Sequence, residues 1–154
     1  MNASSQPTAA PDLPRNTGIE VGAQKVATMK HKDIFARDIE WIAGDEGVRF
    51  AQFLLDPNDA EESPAVILAK FEPGEEIHPH THACNYLEYI VQGSQKVGKI
   101  NFEAGDVRWA AAGTGYGPIK IGLEGCTVLI VFETASKSAP ILLGKARGLA
   151  AAAQ

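Results

Sequence analysis

Through the middle of the chain, runs of β-branched and aromatic residues are cut about every eight to twelve positions by Gly, Pro, Asn or Asp. This punctuation predicts short strands at residues 39–42, 48–55, 65–71, 76–82, 86–91, 96–97, 99–102, 107–110, 119–121 and 127–133. The separators include Asp56-Pro57-Asn58, Pro73-Gly74, Gly93, Gly98, Gly105-Asp106, Gly113-Thr114-Gly115 and Glu124-Gly125. Residues 65–69 and 128–132 are apolar on both faces, which suits strands covered by a second sheet. Many short strands joined by Gly-rich turns predict an all-β sandwich or small barrel, with alternate side chains pointing into one interior. Helix is expected only near the termini.

The ends read differently. Residues 1–22 carry Pro7, Pro11 and Pro14 among small polar residues, and predict a flexible arm or one that orders only on a partner subunit. Residues 144–154 form an Ala-rich tail too short to be a stable helix alone. With 154 residues, the chain has room for one core, expected over residues 34–143. Its net charge of −5, without a Lys/Arg cluster, argues against nucleic acid and anionic membrane as partners. No apolar stretch is long enough to cross a bilayer, and the polar opening predicts no export signal. Two cysteines, Cys84 and Cys126, cannot build a disulfide framework and suit a reducing cytoplasm.

Candidate chemistry gathers in one place. Three of the four histidines are His78, His80 and His82, and side chains two apart on a strand share a face. Up to three imidazoles would then line one side of one strand. Neutral imidazole is the commonest ligand for divalent transition metals and an acid–base group near neutral pH.

Residues 74–93, GEEIHPHTHACNYLEYIVQG, resemble the first motif of the cupin superfamily: Gly, five residues, His-x-His, a short gap, Glu, six residues, Gly. Gly74, His80, His82 and Gly93 fall in step, while the glutamate slot holds Tyr86 and Glu88 lies two positions on. Residues 105–120 resemble the second motif, with Gly105 and Gly113 in step. There the proline, histidine and asparagine slots hold Ala111, Tyr116 and Lys120. The resemblance implies a double-stranded β-helix, the jelly-roll cupin barrel, with short terminal extensions and a site in its mouth. It also implies a divalent ion, Fe, Zn, Ni or Mn, on His80 and His82.

Two imidazoles hold such an ion loosely, so a third ligand is expected from Glu88 or His78. The candidate sets are His80/His82/Glu88 and His78/His80/His82. Glu88 could instead be a buried carboxylate satisfied by a neighbouring Lys or Tyr. Tyr86 and Tyr116 would face the imidazoles and could act with them, and Glu88 or either phenol could move a proton. Arg108 is expected in a salt bridge at the rim.

These readings leave three functions open. One is a metal-dependent dioxygenase, isomerase or lyase acting on a small oxygenated substrate. The second is a metal-free epimerase or isomerase using His and Tyr, and the third is a ligand-binding or sensing module. A small-molecule ligand and a homodimer are the expected partners, the latter because a small sandwich exposes an edge strand and an apolar face.

Overall fold

In the computed structural model, which describes residues 20–21 and 31–144, the segment Tyr86–Val97 is one continuous strand. Its early residues keep the period of two: Tyr86, Glu88 and Ile90 are buried while Leu87, Tyr89 and Val91 are exposed. Past Gly93 the inward positions change parity, so that Gln95 is buried and Lys96 exposed. The switch coincides with irregular register against the neighbouring strand, where Thr127 pairs Gln92 but Val128 pairs Ile90.

The described strands in chain order are β1 (Glu20–Val21), β2 (Ile42–Ala43), β3 (Val48–Leu54), β4 (Ala65–Phe71), β5 (Glu76–Ile77) and β6 (His80–Thr81). They continue with β7 (Tyr86–Val97), β8 (Ile100–Glu103), β9 (Val107–Ala110), β10 (Ile119–Phe132) and β11 (Ile141–Leu142). One antiparallel sheet has the order β1-β3-β4-β10-β7-β8, with β2 on β3, β5 on β10 and β9 on β7. A second sheet pairs β11 with β6. The architecture is all-β and antiparallel, as the strand punctuation predicts, and is the jelly roll that the cupin resemblance implies. Two 3-10 turns, Ala36–Asp38 and Ala135–Lys137, are the helical elements among the described residues. None of these residues forms a helix long and apolar enough to cross a membrane. Of the expected arm, residues 20–21 add to β3 as an edge strand. The rest of that arm, and the expected tail beyond Gly144, lie outside the described residues.

Three expectations are corrected. Gly93 and the Glu124-Gly125 pair do not separate strands: β7 and β10 run through them. Gly93 has φ +78°, and a Cβ there would stand 2.0 Å from the Gly125 carbonyl oxygen, so it marks a close backbone approach instead of a turn. The segment expected as one strand over 76–82 is split at His78-Pro79, because proline has no N–H for the ladder. Its first half pairs β10 and its second half pairs β11 in the other sheet. The third correction concerns 39–42, where the strand is only Ile42–Ala43 and follows a 3-10 turn.

Two buried apolar clusters fill the interior. The first centres on Ile90, Ile119, Ile121 and Val128, the second on Ala65, Tyr86, Ala110 and Phe132. Ile67, Tyr116 and Ile130 pack against both, and of these Tyr116 brings a polar group.

Candidate functional site

The switch of sheets at Pro79 frees His80 to bridge Tyr116. The two residues exchange backbone hydrogen bonds, His80 N–H to Tyr116 O at 3.0 Å and Tyr116 N–H to His80 O at 3.1 Å. Their side chains meet on the inner side, with ring centroids 4.6 Å apart. His80 Nδ1 lies 2.8 Å from the His78 carbonyl oxygen, which fixes the proton on Nδ1 and leaves the lone pair on Nε2. The Tyr116 hydroxyl therefore donates to Nε2, at 2.8 Å. His82 is anchored in the same way, its Nδ1–H donating to the Ser138 carbonyl at 2.7 Å. Its Nε2 is likewise the lone-pair nitrogen.

β7 brings Tyr86 to this group, 5.0 Å from the His82 ring and 6.2 Å from the Tyr116 ring by centroids. Phe132 of β10 closes the floor, 4.8 Å from His82. The Tyr86 hydroxyl is buried and has no hydrogen-bond partner among the described residues.

A second polar layer lies one pleat deeper. Glu88 on β7 is in register with Arg108 on β9, and Arg108 Nη2 stands 3.4 Å from each carboxylate oxygen. Gln95 donates its side-chain amide to the same carboxylate, which the change of parity past Gly93 makes reachable. The guanidinium also sits over the Tyr116 ring at 4.2 Å and near the Tyr86 ring at 5.7 Å, linking the two layers. Arg108 Nε is buried without a partner among the described residues.

Burial raises the pKa of both Tyr86 and Tyr116, so both phenols are protonated at rest. Burial opposes the Arg108 charge, but the charge and hydrogen bond of Glu88 together with Tyr86 and Tyr116 outweigh it, so Arg108 stays a cation. The His82 pKa is pushed down to about 4 by burial, with the Ser138 carbonyl resisting and His80 adding to the fall. An unfolded chain would titrate this group near 6.5, so between these values the unfolded state binds more protons. The stability due to a neutral His82 is then full above about pH 6.5 and lost as pH falls toward 4, on the order of 2–3 kcal/mol. Denaturant titrations of wild type and His82→Gln across this range should show a shallower acid loss in the variant; parallel curves would remove His82 as the cause.

Of the sequence-predicted residues, the structure brings His80, His82, Tyr86 and Tyr116 together. His78 stands apart: it is exposed and its ring pairs with Glu46. The break at Pro79 is the reason, since His78 no longer shares a strand face with His80. Glu88 sits below the rings and is engaged by Arg108 and Gln95, in place of the Lys or Tyr weighed from the sequence. Arg108 is not at a rim but inside, because the register of β7 with β9 sets it opposite Glu88 on the inner face.

The residues at the mouth meet only part of what a divalent ion needs. Both imidazoles have their Nδ1–H tied to carbonyls, as metal-ligating histidines do. Yet no group of three His, Cys, Asp or Glu able to hold an ion occurs among the described residues. The nearby phenols are held protonated by burial, and the Arg108 cation lies over one of them. This donor set does not fit a resident divalent ion.

The family described as the ChrR Cupin-like domain matches residues 30–135. No curated protein matches the chain significantly. Among solved structures, an RmlC-like cupin from Ralstonia eutropha is 19% identical with a TM-score of 0.58, covering 74% of this chain and 73% of its own. A deletion mutant of Bacillus subtilis oxalate decarboxylase is 22% identical with a TM-score of 0.56, over 66% of this chain and 29% of its own. That enzyme has Mn(II) centres. A chain from the complex of Rhodobacter sphaeroides SigE with the anti-sigma ChrR is 21% identical with a TM-score of 0.54, over 64% of this chain and 50% of its own. The match thus spans half or less of the chains in the last two structures. At these identities the likeness establishes the cupin fold.

Proposed function

This chain belongs to the ChrR cupin-like domain family, and on that premise we propose that its barrel mouth binds a small oxygenated organic molecule and moves a proton on it without a resident metal ion. The observation that carries the reading is the hydrogen-bond chain from the Tyr116 hydroxyl to His80 Nε2 and from His80 Nδ1 to the His78 carbonyl. It has the logic of an activated acid–base group: a base within reach and a third group orienting that base.

In the proposed cycle the Tyr116 oxygen takes a proton from a carbon next to a ligand carbonyl, while its own proton passes to His80 Nε2. The electron pair left on carbon moves into the ligand as an enolate. Where the deprotonated carbon carries a hydroxyl, passage of the hydroxyl proton to the enolate oxygen and return of a proton from the Tyr116 oxygen to the former carbonyl carbon give the isomer. His80 then returns the borrowed proton to the phenolate. The Arg108 guanidinium over the Tyr116 ring favours the phenolate while it exists.

A metal-dependent reading, with Fe, Zn, Ni or Mn on His80 and His82, draws support from the anchored imidazoles and from the Mn(II) centres of oxalate decarboxylase. A sensing module that binds without turnover draws support from the family's name and from the likeness to the anti-sigma complex. One experiment separates the three. Protein purified without added metal is assayed for metals, then incubated in D₂O with short hydroxyketones, aldoses and 1,3-diketones while C–H exchange is followed by NMR. Substoichiometric metal and exchange that survives a chelator are expected. Near-stoichiometric metal with chelator-sensitive exchange would replace this reading with the metal one, and binding without exchange would replace it with sensing.

The expected homodimer is supported by the outer face of β7 and β9, where Leu87, Tyr89, Val91, Val107 and Trp109 form an exposed apolar patch. Two copies joined about a twofold axis would cover it. Trp109→Glu is expected to convert the dimer to monomer in light scattering at micromolar concentration; a monomeric wild type would remove the proposal. The free, buried thiols of Cys84 and Cys126 support a reducing, cytoplasmic setting.

A further inference from the structure

We infer that the mouth selects an α-hydroxycarbonyl compound, taking its carbonyl oxygen on Tyr86 and Arg108 and its hydroxyl on His82. The inference rests on the reading of the mouth as a small-ligand site and adds the functional groups of that ligand.

Two buried donors lack partners, the Tyr86 O–H and the Arg108 Nε–H. Native proteins leave few buried polar groups unsatisfied, and each such group asks for a reason. These two belong to one place. Tyr86 is in register with Ala110 and Glu88 with Arg108, so Tyr86 and Arg108 are diagonal neighbours on the inner face of paired strands. The guanidinium lies 5.7 Å from the Tyr86 ring centroid.

Their chemistry defines what can stand opposite. Arg108 only donates, so the missing atom is an acceptor, and one sp² oxygen has lone pairs for both donors. A carboxylate is a poorer match, because Glu88 already balances Arg108 and a second anion would leave the buried layer negatively charged. A neutral carbonyl fits. As its neighbouring carbon loses a proton, this oxygen gains negative charge, and the same two donors would stabilise it.

His82 supplies the opposite requirement. With its Nδ1–H committed to Ser138, its Nε2 can only accept, so it asks for a ligand O–H. Its ring is 5.0 Å from that of Tyr86, which places the acceptor and the donors side by side. Neighbouring hydroxyl and carbonyl groups on one short carbon chain satisfy both. The ligand must be small, because four rings crowd the mouth and two of them are joined by the tyrosine–histidine hydrogen bond. Two surface grooves lie elsewhere, one beside Arg49 and Lys70 and one beside Lys96 and Lys120.

The test uses calorimetric titration of the whole protein with hydroxyacetone, butanone and propane-1,2-diol. Butanone lacks the hydroxyl and the diol lacks the carbonyl. Wild type is expected to bind hydroxyacetone about tenfold or more tighter than either analogue. Tyr86→Phe, checked for an unchanged melting profile, should lower hydroxyacetone affinity about tenfold and leave diol affinity as it was. Equal affinity for the three compounds, no hydroxyacetone binding, or a Tyr86→Phe effect common to all of them would overturn the inference. The outcome is separable from the proton-transfer reading. Selective binding without C–H exchange sinks only that reading, and exchange confined to 1,3-diketones sinks only this inference.

Discussion

Replacing Tyr116 by Phe is expected to slow ligand C–H exchange by about 10²–10⁴-fold, the range typical of losing a positioned acid–base group. The substitution removes one oxygen and keeps the ring that packs against both core clusters and under Arg108. Fold and ligand affinity should therefore change little, and the loss should fall on the rate. His80→Gln should fall in the same range, because the phenol would have no base to receive its proton. The double variant should be no slower than either single one, since the two groups act as a unit. Exchange rates from NMR in D₂O measure all three proteins. A Tyr116→Phe protein that exchanges at the wild-type rate would rule out the dyad, and additive losses would mean that the two groups act separately.

Arg108→Met is expected to destabilise the fold by about 3–5 kcal/mol, the usual cost of leaving one member of a buried pair uncompensated. The side chains of Arg108 and Glu88 are 13% and 6% exposed, so neither charge is free to relax into water. Glu88→Leu alone should cost a comparable amount by stranding the cation. The double variant, with an apolar pair of similar volume, should recover most of the loss. Equilibrium denaturation of the four proteins closes the cycle. If Arg108→Met costs less than about 1 kcal/mol, the pair behaves as an exposed one and not as a buried layer. A recovered double variant that has lost hydroxyacetone selectivity would further show that the pair is kept for the ligand instead of for stability.

Parts of the fold could be read directly from the chain. Residues 48–54, 65–71 and 107–110 form strands where β-branched and aromatic runs between turn residues predict them. Prediction failed where a glycine had two possible meanings. Gly93 and Gly125 look like turns in sequence but serve as points where two backbones nearly touch, which depends on a strand more than thirty residues away. The short pairs β1 and β11 carry too little pattern to be seen at all.

The site divides along the same line. Proximity of His80 and His82 is a local matter, because residues two apart on extended backbone share a face. That tyrosines take the slots where the cupin pattern has glutamate and histidine could also be read from residue order. The hydrogen bond between Tyr116 and His80 joins positions 36 apart and needs the backbone bridge between them. The exclusion of His78 required the chain to change sheets at Pro79. Arg108 reached the interior opposite Glu88 only through the register of β7 with β9.

By itself, then, the sequence determined the strand-forming stretches, the closed all-β class and the His-Tyr composition of the mouth. These depend on φ/ψ preference and side-chain alternation, which act over a few residues. Tertiary structure decided which groups face one another, which protons are held where, and which charge lies buried. Those depend on register and sheet crossing, and both are set by long-range packing that no local pattern encodes.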